Sequence, residues 1–294
     1  MVPDTSGVTL NGYSMDYFSA FLTGPVHVAQ AQLKTSYLDA VAYDGSIDLS
    51  LVRPQNIRTK LDTATYFNRR KVTVPICILG TIQEVQDGKV LLGQLAGREV
   101  KLYDPYEDGY WVGRLTLPAW SDIYEAGSGL KASDGKLEIN ADPLLHKETI
   151  TEQLDSTKDD NTIHVLSSVP VFPVITMEAD QAVHSAEYTE DNGISGKVSL
   201  SLGVMSNGRR VSYCNFELDA LLMSNKVTFD PANGIYTYDN TWGHGPRIQR
   251  VSPTLVSDIP YLQPGEVSVR ISPRKGKSGK LHKIEISYTP KIMI

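Results

Sequence analysis

The chain has 294 residues, 41% of them hydrophobic and 21% charged, with 28 basic against 34 acidic side chains and a formal net charge of -6. At roughly 150 residues per domain that length favours two domains, each able to bury a core of its own. The acidic balance argues against nucleic acid as the main partner, because phosphate binding needs a cationic excess on at least one face, though it leaves room for a local basic patch.

The N-terminal stretch MVPDTSGVTLNGYS lacks the basic start and apolar run of a signal peptide. No apolar run approaches the ~20 residues of a spanning helix. The expectation is a protein made in the cytoplasm and not inserted in a membrane. Short segments of period-two alternation, rich in Val, Ile, Thr and Tyr, then dominate the chain. Asn11-Gly12, Asp44-Gly45, Asp87-Gly88, Asp134-Gly135, Asn207-Gly208 and Asn233-Gly234 punctuate them as turn signals. Such spacing reads as antiparallel all-β architecture, a sandwich or a barrel.

Helix is scarce. PQNIRTKLDTATYF has Ile57, Leu61 and Ala64 at helical spacing, and DGKVLLGQLAGREV has partial 3.6-residue spacing with Gly97 just past its end. Between about residues 147 and 162, KETITEQLDSTKDDN is poor in large apolar residues. It reads as a polar crossing between two β-rich units, residues 1–147 and 148–294. In the second unit, GKVSLSLGVMSNGRRVSYCNFELD predicts a type I′ hairpin at Asn207-Gly208. EVSVRIS and HKIEISYTP, joined by PRKGKSGKL, predict a closing hairpin.

Chemistry is sparse. Cys77 and Cys214 sit in apolar, strand-like settings and read as buried small hydrophobes. There is no Gly-x-Ser-x-Gly elbow, His-Glu-x-x-His motif or phosphate-cradling glycine loop. The six histidines show none of the i, i+4 pairing of helical metal sites, so no catalytic, metal or cofactor site is expected. Asp159-Asp160 reads as solvated loop. Arg270, Arg274, Lys275, Lys277, Lys280 and Lys283 read as a charged hairpin tip that resists aggregation. In YDNTWGHGPRI, Trp242 and His244 sit on a glycine-flanked turn; with Tyr236 and Tyr238 they are the candidate sugar-stacking residues.

Several motifs fall in a telling order. VTLNGYSMDYF contains Asn11 and Gly12, YDGSIDLSL contains Asp48, and YFNRRKVTVPICILG enters a long strand. LAGREVKLYDPYEDGYWVGRL carries Gly97, Tyr110, Gly113 and Arg114. VPVFPVITMEAD, VTFDPANGIYTYDN, PYLQPGE with Pro264 and Gly265, and KIEISYTPKI complete the series. In this order and spacing the chain resembles the distal tail protein (Dit) family of long-tailed bacteriophages. The resemblance implies two β-sandwich-like domains. The first, with a short helix, would form a hexameric ring at the distal end of the tail tube. The second would be similar to galectin-like or carbohydrate-module sandwiches. The implied partners are the tail tube protein, a tail-associated tip protein, and receptor-binding or baseplate proteins. The implied location is the virion tail tip and the implied role host adsorption, without catalysis. The alternative is a lectin-like sandwich that attaches to a host cell-wall polysaccharide.

Overall fold

A computed structural model describes residues 5–30, 33–36, 64–67, 69–155, 158, 160–179, 198–206, 208–218, 224–240, 245–250, 260–272 and 281–294. The chain divides into two compact units, residues 1–147 with 291–294, and residues 148–290.

Unit 1 opens with β1 (Thr9–Leu10), β2 (Tyr13–Ser14), a 3₁₀ turn (Met15–Phe18), β3 (Ala20–Leu22) and β4 (His27–Val28). There follow β5 (Leu33–Ser36), β6 (Ala64–Phe67), β7 (Arg70–Thr81), helix α1 (Ile82–Leu95), β8 (Glu99–Asp104) and β9 (Gly109–Thr116). The first part of the unit ends with β10 (Ser121–Glu125), β11 (Leu130–Ala141) and β12 (Leu145–His146). Unit 2 holds β13 (Ile150–Leu154), β14 (Asp160–Val165), β15 (Val174–Ala179), β16 (Val198–Ser206), β17 (Arg209–Leu218) and β18 (Ser224–Asp230). It continues through β19 (Ile235–Asn240), β20 (Gly245–Arg250), β21 (Gly265–Ser272) and β22 (Leu281–Tyr288), before β23 (Lys291–Ile292) returns to unit 1.

Unit 1 holds a hydrogen-bonded sheet of eleven strands, in the order β2-β1-β8-β9-β11-β7-β3, with β4, β10, β12 and β23 attached off that path, and a separate pair, β5-β6. Strands β7 and β11 are each twelve residues long and pair along their full length. Val72, Val74, Ile76 and Ile78 of β7, with Leu137 and Ile139 of β11, are fully buried on one face. Val85 and Leu92 of α1, Phe18 of the 3₁₀ turn and Trp111 of β9 belong to the same core.

Helix α1 begins five residues earlier than the spacing of DGKVLLGQLAGREV suggests, at a capping box. Glu84 N–H donates to Thr81 Oγ1 at 3.3 Å, and Thr81 N–H donates to Glu84 Oε2 at 2.8 Å. Asp87-Gly88 is therefore helix interior and not a turn. A Cβ on Gly88 would strike the Phe18 carbonyl, so the glycine lets α1 lie against the 3₁₀ turn. Asp134-Gly135 is likewise no turn: it lies within β11, where a Cβ would meet Pro118 at 2.6 Å and Trp120 at 2.9 Å. Asp44-Gly45 and most of PQNIRTKLDTATYF lie outside the described residues; its end, Ala64–Phe67, is strand β6.

Unit 2 is a sandwich. A six-stranded sheet, β13-β22-β15-β18-β19-β20, and a four-stranded sheet, β14-β21-β16-β17, contribute to one core. The polar stretch read as a crossing forms β13 and β14, an edge strand of each sheet, with Leu154, Ile163 and Val165 turned inward. The closing hairpin is not one either. β21 pairs with β14 and β16, whereas β22 pairs with β13 and β15 in the opposite sheet. Val267, Val269 and Ile271 of one meet the same core as Ile284 and Ile286 of the other, so the strands face each other across the sandwich. Ser206 pairs with Arg209 and Gly208 has φ +73, while Asn207 lies outside the described residues.

Two glycines give opposite expectations in unfolding measurements. A Cβ on Gly113 would collide with the Asn140 carbonyl and the Ala141 backbone, so Gly113→Ala should destabilise unit 1 by about 1–3 kcal/mol in urea titration. Nothing lies within 4 Å of a Cβ at Gly93 in α1, so Gly93→Ala should stabilise it by about 0.5–1 kcal/mol.

Candidate interaction surfaces

The sequence motifs prove to be junctions of the backbone. Asn11 and Gly12, at φ 53 and 82, make the tight turn between β1 and β2. Asn11 N–H donates to the Lys101 carbonyl, and its Oδ1 accepts from Lys101 N–H, both at 2.8 Å, which ties the turn to β8. Gly97, at φ 71, donates its N–H to the Leu115 carbonyl at 2.8 Å and starts the path into β8. Tyr110 lies opposite both Tyr103 and His146, with the Tyr103 ring 5.2 Å away. Arg114, exposed, lies between Glu99 and Asn140 on the neighbouring strands. Asp48, Trp242 and His244 lie outside the described residues. Tyr236 and Tyr238 lie on β19, opposite Phe229 and Val227 of β18.

Pro264 and Gly265 form the corner entering β21, with Gly265 at φ 91. A tyrosine absent from the motif series holds this corner. Tyr213 Oη donates to the Tyr261 carbonyl at 3.2 Å and accepts from Gln263 N–H at 3.3 Å, while burial pushes its phenol pKa well up. Tyr288 does the same for β14: its Oη donates to the His164 carbonyl at 3.0 Å and accepts from Leu166 N–H at 3.4 Å.

Unit 1 presents an exposed edge strand, β10. Every residue of β10 is exposed, Ile123 by 61% and Tyr124 by 55%, and Leu130 at the start of β11 by 42%. An exposed strand carrying Ile123 and Tyr124 needs an anchor, and Asp122 supplies it. Its carboxylate accepts from Lys89 Nζ on α1 at 2.6 Å, from Lys131 Nζ at 2.8 Å and from Ser133 Oγ. Lys131, Lys89 and Ser133 together hold that carboxyl far below the usual range. Lys89 also lies 5.1 Å over the Trp120 ring. The opposite sheet face carries Phe21 and Cys77, paired across β3 and β7, and Leu79 opposite Ala132. A groove of about 490 Å³ continues that face, lined by Thr23, Pro75, Leu117, Pro118, Asp134 and Lys136. Burial, reinforced by Asp134, pushes the Cys77 thiol up to about 11, which suits an inert small hydrophobe. Elsewhere Tyr13 and Tyr17, each half exposed, stack with ring centroids 4.5 Å apart.

The outer face of the four-stranded sheet in unit 2 is polar. Arg270 forks onto Asp160 with two hydrogen bonds of 2.9 Å. Arg210 donates to Ser268 Oγ at 2.8 Å and to the Ser201 carbonyl at 2.5 Å, lying across Gly203. The basic run is thus partly neutralised at its start, and Lys283 pairs with Glu285 at 2.8 Å; Arg274, Lys275, Lys277 and Lys280 lie outside the described residues. Among the described residues no group of three or more His, Cys, Asp or Glu side chains could hold a metal ion. No helix among them is long and apolar enough to cross a membrane.

No protein-family model matches the chain, and no curated protein matches it. Solved structures do. The SPP1 Dit protein, described as a paradigm of the hub adsorption apparatus in phages infecting Gram-positive bacteria, superposes with a TM-score of 0.60 at 12% identity, over 97% of this chain and 98% of that one. What the two share is the fold. A chain of the phage P2 baseplate in its activated, calcium-bound conformation covers 92% of each chain at 10% identity, with a TM-score of 0.41.

Two substitutions check the anchors described above. Asp122→Asn should speed hydrogen exchange across residues 121–134 while leaving β7 protected. Because the folded carboxyl titrates below its unfolded value of about 4, the anchoring is fully present above that pH and is lost as pH falls. Tyr213→Phe should destabilise unit 2 by about 1–3 kcal/mol in thermal unfolding, since it strips partners from the Tyr261 carbonyl and Gln263 N–H.

Proposed function

We propose that this protein is a structural hub of a long-tailed phage, sited at the virion tail tip and made in the bacterial host cytoplasm. The observation that carries this reading is the fold shared with the SPP1 hub protein across 97% of this chain and 98% of that one. The likeness spans both units and their order. That supports a common architecture better than a borrowed sandwich module, which would align with one unit alone. In this reading unit 1 forms a hexameric ring with other copies at the distal end of the tail tube. A closed ring of heterologous contacts needs two different surfaces on each copy. The exposed Ile123 and Tyr124 of β10 and the Tyr13–Tyr17 stack are features of unit 1 suited to such contacts. Unit 2, in the manner of galectin-like sandwiches, docks receptor-binding or baseplate proteins for host adsorption. The tail tube protein and a tail-associated tip protein are the axial partners.

Light scattering on the purified chain, with negative-stain images, tests this. The expected particle has about six times the 32.4 kDa mass of one chain and a central hole. A chain that remains monomeric across the micromolar range and does not bind its tail tube protein would overturn the reading.

A further inference from the structure

Unit 1 is assembled from two stretches of chain separated by the whole of unit 2. Strand β23 pairs with β12, Leu145 opposite Ile292 and His146 opposite Lys291, and β12 meets β9 at His146↔Tyr110. Two residues further on, Arg70 Nη2 donates to the Ile294 carbonyl at 2.7 Å. Arg70 is only 4% exposed, and its guanidinium stands 5.5 Å from the centre of the Trp111 ring. Neither its Nε nor Trp111 Nε1 has a hydrogen-bond partner. Among the described residues, Ile294 is the hydrogen-bond acceptor found for this guanidinium. A buried guanidinium without an acceptor is strongly unfavourable, because the ring face alone does not replace the lost water. Next to this junction Leu145 is fully buried, and a Cβ on Gly109 would collide with it.

We propose that residues 291–294 are a closing strap, whose docking on β12 and Arg70 is the last step in completing unit 1. These residues follow unit 2 in the chain. Unit 1 therefore reaches its finished form only after unit 2 has been made. The strap couples the two units in time, and until it arrives the edge at β12 is open and Arg70 lacks its acceptor. The coupling lies in chain order and local hydrogen bonding, independent of the tail-hub reading.

Hydrogen–deuterium exchange tests this on the full chain, a chain stopped after Pro290, and Arg70→Met. In the stopped chain, exchange at residues 109–112 and 144–146 should rise about tenfold or more, while peptides from β15 and β22 keep their protection. In Arg70→Met the rise should fall on residues 291–294; if that variant unfolds unit 1 outright, the stopped chain decides alone. In pulse-labelled refolding of the full chain, protection at 291–294 should appear after that of β7 and β11. Unchanged protection at β9 and β12 in the stopped chain overturns the proposal. So does a loss spread equally over unit 2, or protection of the strap ahead of β7 and β11.

Discussion

Twelve consecutive residue pairs between β7 and β11 are the constraint on which unit 1 depends. One edge of the pair receives β3 and β4, the other β9 and β10, so the remaining strands take their places from it. One face carries the buried Val, Ile and Leu side chains against which α1 and the 3₁₀ turn pack. A slip of one residue would turn every one of those side chains to the other face, so the register is held by burial as much as by hydrogen bonds. Arg70 and Thr81, the two ends of β7, then become fixed points. One accepts the returning C-terminal segment and the other caps the helix.

Unit 2 solves a different problem. Its two sheets meet only through side chains, which slide more easily than a hydrogen-bonded ladder. Tyr288 acts against that across the sheets, and the partly buried Tyr213 acts within one sheet, each placing a hydroxyl between backbone groups of segments distant in the chain. Tyr213 on β17 grips the segment before β21, and Tyr288 on β22 grips the end of β14 in the opposite sheet. Each hydroxyl both donates and accepts, so one side chain satisfies a carbonyl and an N–H that the ladders leave over.

The period-two pattern made most strands legible, because inward and outward residues alternate whatever the neighbours are. It could not say which strand lies beside which. That is why β21 and β22, both alternating and consecutive, read as a hairpin although they belong to opposite sheets. Glycine misled for a related reason. At Gly12 and Gly208 it supplies a positive φ, but at Gly88 and Gly135 it only makes room for Phe18 and for Pro118 with Trp120, and a sequence does not distinguish the two uses. The helix start was written locally, in Thr81 and Glu84, whereas its apolar spacing pointed further along. Arg70 was not readable at all: its acceptor is 224 residues away. Asp122 and Tyr213 likewise act through partners that no local pattern announces.

The sandwich leaves the outer edges of β17 and β20 without a further strand among the described residues. Open edges invite pairing with any exposed strand nearby, a hazard that grows with crowding. Here β20 includes Pro246, which has no N–H to offer, and β17 begins with the exposed Arg209. Cations repel their own kind, and a proline interrupts the ladder another chain would need. Many copies could therefore stand close together without fusing into one continuous sheet, which keeps solubility compatible with a high local concentration.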